Sequence, residues 1–221
     1  MPGLFVTATG TDVGKTYVTA GLICAGRRAG RAIEALKPVL SGYDPSAAGD
    51  SDAGVLLAAL GHAITADSVA AIAPWRFSAP LSPDMAAAVE GKTIDFDAVV
   101  ATCRATLRPD HLTLIEGVGG VMVPLDASHT TLDLAAALAL PVVLVSGTAL
   151  GAISHLLTAR AVLLGRGLVL RAIILNESVA STVPIAATRA TLARFCPEAI
   201  LIVPRDADDG AFDHLFACVV S

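Results

Sequence analysis

Short apolar segments alternate with longer, alanine-rich segments of helical spacing along most of this chain, and few folds accommodate that order. Six segments have the length and apolar content of buried strands, namely residues 4–7, 32–36, 112–115, 142–145, 172–175 and 200–203. Seven segments between them have helical spacing, namely 16–29, 51–60, 83–89, 96–107, 132–139, 153–164 and 182–195. Strands separated by helices are typical of βαβ units. We therefore predict an α/β fold, with a doubly wound, mainly parallel sheet and helices on both faces.

Length and composition favour one compact unit. At 221 residues the chain is within the range of a single core, so residues 1–221 are predicted to form one domain. Apolar residues make up 54% of the chain and charged residues 16%, which excludes a disordered protein. The longest apolar run, residues 134–145, contains a proline and is far shorter than the roughly 18 residues that a membrane span needs. The N-terminus lacks the pattern of a secretory signal, so we expect a cytoplasmic protein without membrane attachment.

The charge and the cysteine spacing disfavour several classes of function. The net charge of −5 provides no general basic field for a phosphate backbone, so nucleic-acid binding is disfavoured. The cysteines have neither the spacing of a zinc site nor that of a disulfide framework. We expect all four to be small buried side chains: Cys24, Cys103, Cys196 and Cys218.

A glycine-containing loop follows the first predicted strand, with the sequence Ala-Thr-Gly-Thr-Asp-Val-Gly-Lys-Thr over residues 8–16. Backbone N–H groups of such a loop can surround phosphate oxygens, and the N-terminus of the next helix adds a favourable dipole. Lys15 can reach the β- and γ-phosphates, and the Thr16 hydroxyl can ligate the Mg²⁺ that accompanies a nucleotide. Thr9 stands where the usual G-x-x-x-x-G-K-[ST] pattern has its first glycine. We predict a P-loop NTPase-type fold that binds ATP through this list of residues: Asp12, Val13, Gly14, Lys15, Thr16 and Tyr17.

Two other interpretations of the loop fit less well. An ordinary glycine turn before a helix is one alternative, but the preceding strand and the Gly-Lys-Thr sequence favour the phosphate loop. A dinucleotide-binding loop is the other, but its three-glycine spacing is absent.

Three charged residues are placed so that they can meet this loop. Lys37 follows the second predicted strand, Asp52 begins a predicted helix, and Glu116 follows the third strand. Because loops after parallel strands share one edge of the sheet, we expect these residues to converge on the ligand. Taken alone, Lys37 would be an ordinary surface lysine and Asp52 an ordinary charge at a helix N-terminus. Together with Thr16, the two carboxylates form an oxygen set suited to Mg²⁺.

Several motifs, taken in order, resemble the ATP-dependent dethiobiotin synthetases of biotin biosynthesis over residues 5–204. They are Thr-Gly-Thr-Asp-Val-Gly-Lys-Thr at 9–16, Lys-Pro-Val-x-Ser-Gly at 37–42, Ser-Asp-Ala at 51–53, Pro-x-Ser-Pro at 80–83, Glu-Gly-x-Gly-Gly at 116–120 and Leu-Gly-x-Ile-x-His at 150–155. Each motif alone is weak, whereas their common order is specific. The resemblance implies an ATP-dependent cyclo-ligase that converts 7,8-diaminopelargonate, CO₂ and ATP into dethiobiotin, ADP and phosphate.

The resemblance also implies a role for individual residues. Catalysis would involve Lys15, Lys37 and Thr11. The metal ligands would be Thr16, Asp52 and Glu116, and the adenine base would be recognised by Asn176 and by the loop at Pro204. Substrate would be bound by Thr11, Lys37, Ser41, Gly119, Leu150 and Ser154.

The family is usually dimeric, so the resemblance implies a homodimer with the substrate site at the subunit interface. Gly119, Leu150 and Ser154 would then reach the substrate of the partner subunit. Ser154 stands where the family often has asparagine, and Asp12 stands where it often has glutamate.

Two other activities remain alternatives to dethiobiotin synthesis. A ParA- or MinD-like switch ATPase shares the loop and the fold, but it carries a lysine five residues before the P-loop lysine, where this chain has Gly10. A related amide-forming synthetase is the second alternative, although a separate glutamine-hydrolysing domain does not fit in this length.

Overall fold

The computed structural model describes residues 3–179 and 181–221. Its strands are β1 (Gly3–Ala8), β2 (Ile33–Leu36), β3 (Val39–Ser41), β4 (Trp75–Phe77), β5 (Leu112–Glu116), β6 (Val142–Ser146), β7 (Leu170–Asn176) and β8 (Ile200–Val203). Its α-helices are α1 (Lys15–Arg28), α2 (Asp52–Leu60), α3 (Ala66–Ile72), α4 (Pro83–Val89), α5 (Phe96–Ala105), α6 (Thr131–Leu138), α7 (Ala152–Gly165), α8 (Ile185–Leu192) and α9 (Asp209–Val220), and a 3-10 helix spans Pro45–Asp50. Every predicted strand and helix is present.

Six of the strands form one parallel sheet in the order β2-β5-β1-β6-β7-β8. This arrangement confirms the predicted doubly wound α/β fold. The chain first builds outward from β1 to β2, and it later continues on the other side of β1 with β6, β7 and β8. The loop after β1 therefore lies where the winding direction changes, which is the usual ligand position in such folds.

Buried side chains on the two faces of the sheet form two separate cores. In β1, Leu4 and Val6 pack in a cluster that includes residues of α1, α2, α3 and α9. Phe5 points the other way and packs in a cluster that includes residues of α4 to α8. This alternation follows from the two-residue repeat of a strand, and helices on both faces then hold the end of β1 in a fixed position.

The sequence prediction missed two short strands and two α-helices. β3 and β4 pair in parallel as a separate two-stranded sheet, and each strand has only three residues, too few to show a periodic pattern. The C-terminal helix α9 also went unrecognised, although Asp208 caps it by accepting a hydrogen bond from the Ala211 N–H at 2.9 Å. α3 begins with a capping box formed by Thr65 and Ser68.

Two sequence expectations need correction. The helix predicted over 182–195 is shorter, because Pro184 has an extended backbone at the N-cap and the helix begins at Ile185. The four cysteines are not all buried: Cys103 and Cys196 are, whereas Cys24 and Cys218 are partly exposed. None of the helices in the two described ranges is long and apolar enough to cross a membrane.

Candidate functional site

The loop between β1 and α1 has the shape of a phosphate-binding loop. Gly14 forms the N-cap of α1 in a left-handed conformation with φ of 84°, which favours glycine. A side chain at this position would also place its Cβ 2.1 Å from Asn176 Nδ2. The first N–H groups of α1 have no partner within the helix, so they are available to an anion.

Neighbouring strands hold this loop in place. The Thr9 N–H donates to the Val145 carbonyl at 2.9 Å, and the Asn176 side chain donates to the Val13 carbonyl at 3.0 Å. The glycine-rich loop after β5 packs on it from the other side, and a Cβ on Gly120 would lie 3.2 Å from the Gly10 backbone. The loop is therefore anchored to the segments on both sides of it.

A buried carboxylate oxygen lies at the centre of the site. Glu116 Oε1 lies 3.0 Å from Lys15 Nζ, 2.7 Å from Lys37 Nζ and 2.8 Å from Thr16 Oγ1. Thr16 Oγ1 also lies 2.8 Å from Asp52 Oδ1, and its single proton can serve only one of the two carboxylates at a time. The structure thus brings together the two lysines and the three oxygen donors that the sequence predicted to converge.

Lys37 is more deeply buried than its sequence context suggests. Its ammonium lies between two carboxylates, 2.7 Å from Glu116 Oε1 and 2.6 Å from Asp52 Oδ2, and it also donates to the Gly117 carbonyl at 3.1 Å. Only 1% of the residue is exposed. The view of Lys37 as an ordinary surface lysine is therefore wrong, because the glycine loop after β5 and the start of α2 cover it.

The proximity of opposite charges sets the protonation of the cluster. Burial alone would raise the pKa of Glu116, but Lys15 and Lys37 outweigh burial and lower this pKa to about 2. For Lys15, burial outweighs the attraction of Glu116 and lowers the pKa to about 8. Burial also opposes charge on Lys37, yet Glu116 and Asp52 together raise its pKa above the ordinary lysine value. The pKa of Asp52 is lowered, since Lys37 outweighs its burial. At neutral pH all four groups are mainly charged.

A cleft of about 510 Å³ opens above this cluster. Nine of the predicted site residues line it: Thr11, Asp12, Gly14, Lys15, Thr16, Tyr17, Ser41, Asp52 and Gly119. The other lining residues were not predicted as part of the site, and they are Gly10, Leu40, Pro80, Leu81, Ser82, Pro83, Val118 and Val123. Four of these residues form the Pro-x-Ser-Pro motif at 80–83, which the sequence analysis had recognised without assigning it to the site. The pairing of β3 with β4 brings this motif beside the P-loop.

Lys37 and Glu116 are buried and do not line the cleft. The other five predicted residues lie outside it. Asn176 and Val13 contact each other behind the P-loop. Pro204 follows β8 and is half-buried, and its carbonyl accepts from the Ala207 N–H at 3.1 Å. Leu150 and Ser154 are exposed on the surface at the start of α7, with Leu150 89% exposed. A single subunit therefore does not bring Leu150 or Ser154 to the cleft.

The donor set fits a hard divalent cation such as Mg²⁺, which takes a few protein oxygens together with water and phosphate. Thr16 supplies a hydroxyl, and the carboxylates of Asp52 and Glu116 each lie 2.8 Å from it. Glu116 Oε2 is buried, and no described residue donates a hydrogen bond to it. Such an acceptor normally has a partner, so it has capacity for a ligand.

Comparisons with known proteins give two levels of similarity. The family model described as an AAA domain matches residues 2–208. The ATP-dependent dethiobiotin synthetase of Acidiphilium cryptum is 48% identical over 196 residues, which covers 88% of each chain. The enzyme of the same name from Caulobacter sp. strain K31 is 45% identical, covering 99% of this chain and 96% of its own.

Solved structures are similar at the level of fold. The septum site-determining protein MinD from Pyrococcus horikoshii, complexed with Mg-ADP, has a TM-score of 0.56 at 19% identity, covering 96% of this chain and 85% of its own. The cell-division ATPase MinD from Pyrococcus furiosus has a TM-score of 0.54 at 16% identity, covering 93% of this chain and 84% of its own. At these identities the likeness concerns the fold alone. The far higher identity to the synthetases, over nearly the whole length, shows that this chain belongs to the ATP-dependent dethiobiotin synthetase family.

Proposed function

We propose that this chain catalyses the ATP-dependent conversion of 7,8-diaminopelargonate and CO₂ into dethiobiotin, ADP and phosphate in biotin biosynthesis. The observation that carries the proposal is the convergence of Lys15 and Lys37 on one buried oxygen of Glu116, beside the P-loop. In this proposal the two ammonium groups would lie next to the terminal phosphoryl group of ATP, where the reaction gathers negative charge.

The proposed reaction has two bond-forming steps after an amine of the substrate has taken up CO₂ as a carbamate. A carbamate oxygen attacks the γ-phosphorus, and the bond between that phosphorus and the bridging oxygen breaks, so that ADP leaves. The second amine then attacks the carbonyl carbon of the resulting mixed anhydride. Phosphate leaves with the C–O bonding electrons, the attacking amine loses a proton, and the ring closes as a cyclic urea.

The residues of the cluster suit the first step. A carbamate beside a triphosphate brings several negative charges together, and preorganised cations in a partly dry site stabilise such charge. Lys15 and Lys37 are held in place by Glu116 before the substrate binds, so little reorganisation is needed. When bound, Mg²⁺ would be held by Thr16, Asp52 and Glu116, and it would neutralise charge on the β- and γ-phosphate oxygens.

Substrate and base recognition are also part of the proposal. Thr11 and Ser41 line the cleft, and the Ser41 hydroxyl oxygen is buried without a hydrogen-bond partner among the described residues, so it has capacity for a bond to substrate. The Asn176 amide nitrogen is used by the Val13 carbonyl, so its oxygen remains to accept from an adenine amino group. The loop at Pro204 would cover the base.

A homodimer would account for the residues that lie away from the cleft. Gly119 lines the cleft, whereas Leu150 and Ser154 are exposed near the N-terminus of α7. We propose that these two bind the substrate of the partner subunit, in a cytoplasmic enzyme whose residues 1–221 act as one domain.

A product assay tests the proposal. Purified protein is incubated with Mg-ATP, bicarbonate and 7,8-diaminopelargonate, and dethiobiotin is measured by mass spectrometry together with ADP. We expect dethiobiotin and ADP in equal amounts, with ADP formation dependent on the diamine. ADP released at the same rate without diamine would instead support the MinD-like switch ATPase. In a parallel incubation with a carboxylic acid and ammonia in place of diamine, amide formation would support the amide-forming synthetase.

Lys37→Met is the matching loss-of-function variant, because methionine fills the buried volume of the lysine stem without the charge. We expect it to abolish dethiobiotin formation while the protein stays folded by circular dichroism. Lys92→Met is the control, since Lys92 is 57% exposed and pairs with Glu90 away from the P-loop. Wild-type turnover by folded Lys37→Met would contradict the proposed role of this lysine.

A further inference from the structure

The loops that follow β6 and β7 are fastened to each other by a reciprocal pair of hydrogen bonds. The Thr148 N–H donates to the Ser178 hydroxyl at 2.9 Å, and the Ser178 N–H donates to the Thr148 hydroxyl oxygen at 3.1 Å. Thr148 is only 1% exposed, so water does not compete with these bonds. Each side chain thereby replaces the backbone partner that the other residue lacks.

A third hydrogen bond also joins these two loops. The Ser181 hydroxyl donates to the Thr148 carbonyl at 2.7 Å, so the N–H, the carbonyl and the side chain of Thr148 all bind the loop after β7. The two loops are in direct contact here, because a Cβ on Gly147 would lie 2.6 Å from Ser178 Oγ. The spacing of the loops therefore depends on polar contacts centred on one buried threonine.

Ser178 and Thr148 each lie two residues from a residue that is proposed to bind nucleotide or substrate. Ser178 follows Asn176, whose side chain holds the P-loop carbonyl of Val13. Thr148 precedes Leu150, which stands just before α7. Thr148 thus lies between the side of the site that would bind nucleotide and the side that would reach the substrate of the partner subunit.

We propose that Thr148 is a positioning residue that sets the distance between the nucleotide-binding loops and the segment entering α7. This inference rests on the proposed function. Without the Thr148 hydroxyl, the Ser178 N–H loses its partner and the loop after β7 keeps only its two bonds to the Thr148 backbone. The spacing between Asn176 and Leu150 is then less tightly fixed. The binding of both ligands should then weaken together.

The test compares Thr148→Val with a matched variant, Thr113→Val. Thr113 is also fully buried, and its hydroxyl also bonds to a backbone group, donating to the Thr106 carbonyl at 3.0 Å, but it lies at the opposite end of the sheet from the site. The dissociation constant for Mg-ATP is measured by calorimetry, and the KM for 7,8-diaminopelargonate is measured by product formation. We expect Thr148→Val to raise both constants by up to about tenfold, the upper limit set by the energy of one buried hydrogen bond.

Thr113→Val should leave both constants at the wild-type value even if it lowers the melting temperature as much, and Thr148→Ser should restore binding. Wild-type constants in folded Thr148→Val, or an equal rise in Thr113→Val, would overturn the inference. If Thr148→Val fails to fold, Ser178→Ala removes the other half of the pair and must weaken ATP binding in the same way. The ATP affinity of the variants tests the role of the Thr148 hydrogen bonds whichever reaction the protein catalyses. The proposed function would instead be contradicted if the wild-type protein formed no dethiobiotin.

Discussion

Replacing Glu116 with glutamine in the metal-free, ligand-free protein should lower the free energy of unfolding by about 3 kcal/mol. The carboxylate oxygen contacts Lys15 at 3.0 Å and Lys37 at 2.7 Å, and Glu116 is fully buried. Removing one partner of a buried ion pair typically costs about 3–5 kcal/mol, because the remaining charge is left without compensation. The lower end applies here, since Lys37 keeps its contact with Asp52 at 2.6 Å.

The pKa of Glu116 gives a second route to this magnitude. It lies at about 2, against an ordinary value of 4.5. At about 1.4 kcal/mol per pH unit, that difference corresponds to about 3 kcal/mol of stability at neutral pH. Both routes point to a melting temperature lower by about 6–12 °C for a chain of this size.

The sign of the pH dependence follows from the same values. The pKa of Glu116 is lower in the folded protein than in the unfolded chain, so its stabilisation is complete above the unfolded value of 4.5 and is lost as the pH falls toward 2. Glutamine does not titrate. The difference in unfolding free energy between wild type and Glu116→Gln should therefore shrink to roughly half of its neutral value near pH 3.

Urea unfolding of both proteins in EDTA, at pH 7 and near pH 3, measures these differences. Glu198→Gln is the matched control, because Glu198 forms a paired contact with Arg160 at 2.8 Å that is still partly exposed. That pair is worth only about 1 kcal/mol. Equal stability of Glu116→Gln and wild type at pH 7, or a difference that stays constant at low pH, would refute this account of the cluster.

Three further predictions concern the loop and the backbone. Thr16→Val should weaken nucleotide binding at least about tenfold in the presence of Mg²⁺ and have little effect in EDTA, so affinities that match wild type throughout a magnesium titration would argue against Thr16 as a ligand. Gly14→Ala should abolish measurable ATP binding while the fold survives. The new Cβ would lie 2.1 Å from Asn176 Nδ2, and the backbone at this position has a φ of 84°, which disfavours alanine. An unchanged ATP affinity in calorimetry would show that the loop can shift. Ala139→Gly should raise the unfolding free energy by about 0.5 kcal/mol, since glycine relieves the left-handed strain at φ 52°. A loss of stability in urea unfolding would show that the greater entropy of the unfolded chain with glycine is the larger effect.

Much of the fold was accessible from the sequence, because helices and strands leave periodic patterns within a few neighbouring residues. The six strands of the main sheet and the P-loop were predicted in this way. The approach of Lys37, Asp52 and Glu116 to Lys15 also followed from the sequence, because loops after parallel strands share one edge of a sheet.

Other features depended on atoms that only the tertiary structure brings together. The two-stranded sheet of β3 and β4, and the cleft wall formed by residues 80–83, arise from pairing across more than thirty residues of chain between Ser41 and Phe77. The burial of Lys37 and the sharing of one Glu116 oxygen by two lysines also lie beyond local patterns. Sequence spacing determines which residues can meet at this edge, whereas desolvation and charge pairing, which act through space, decide how deeply they are buried and which atoms bind.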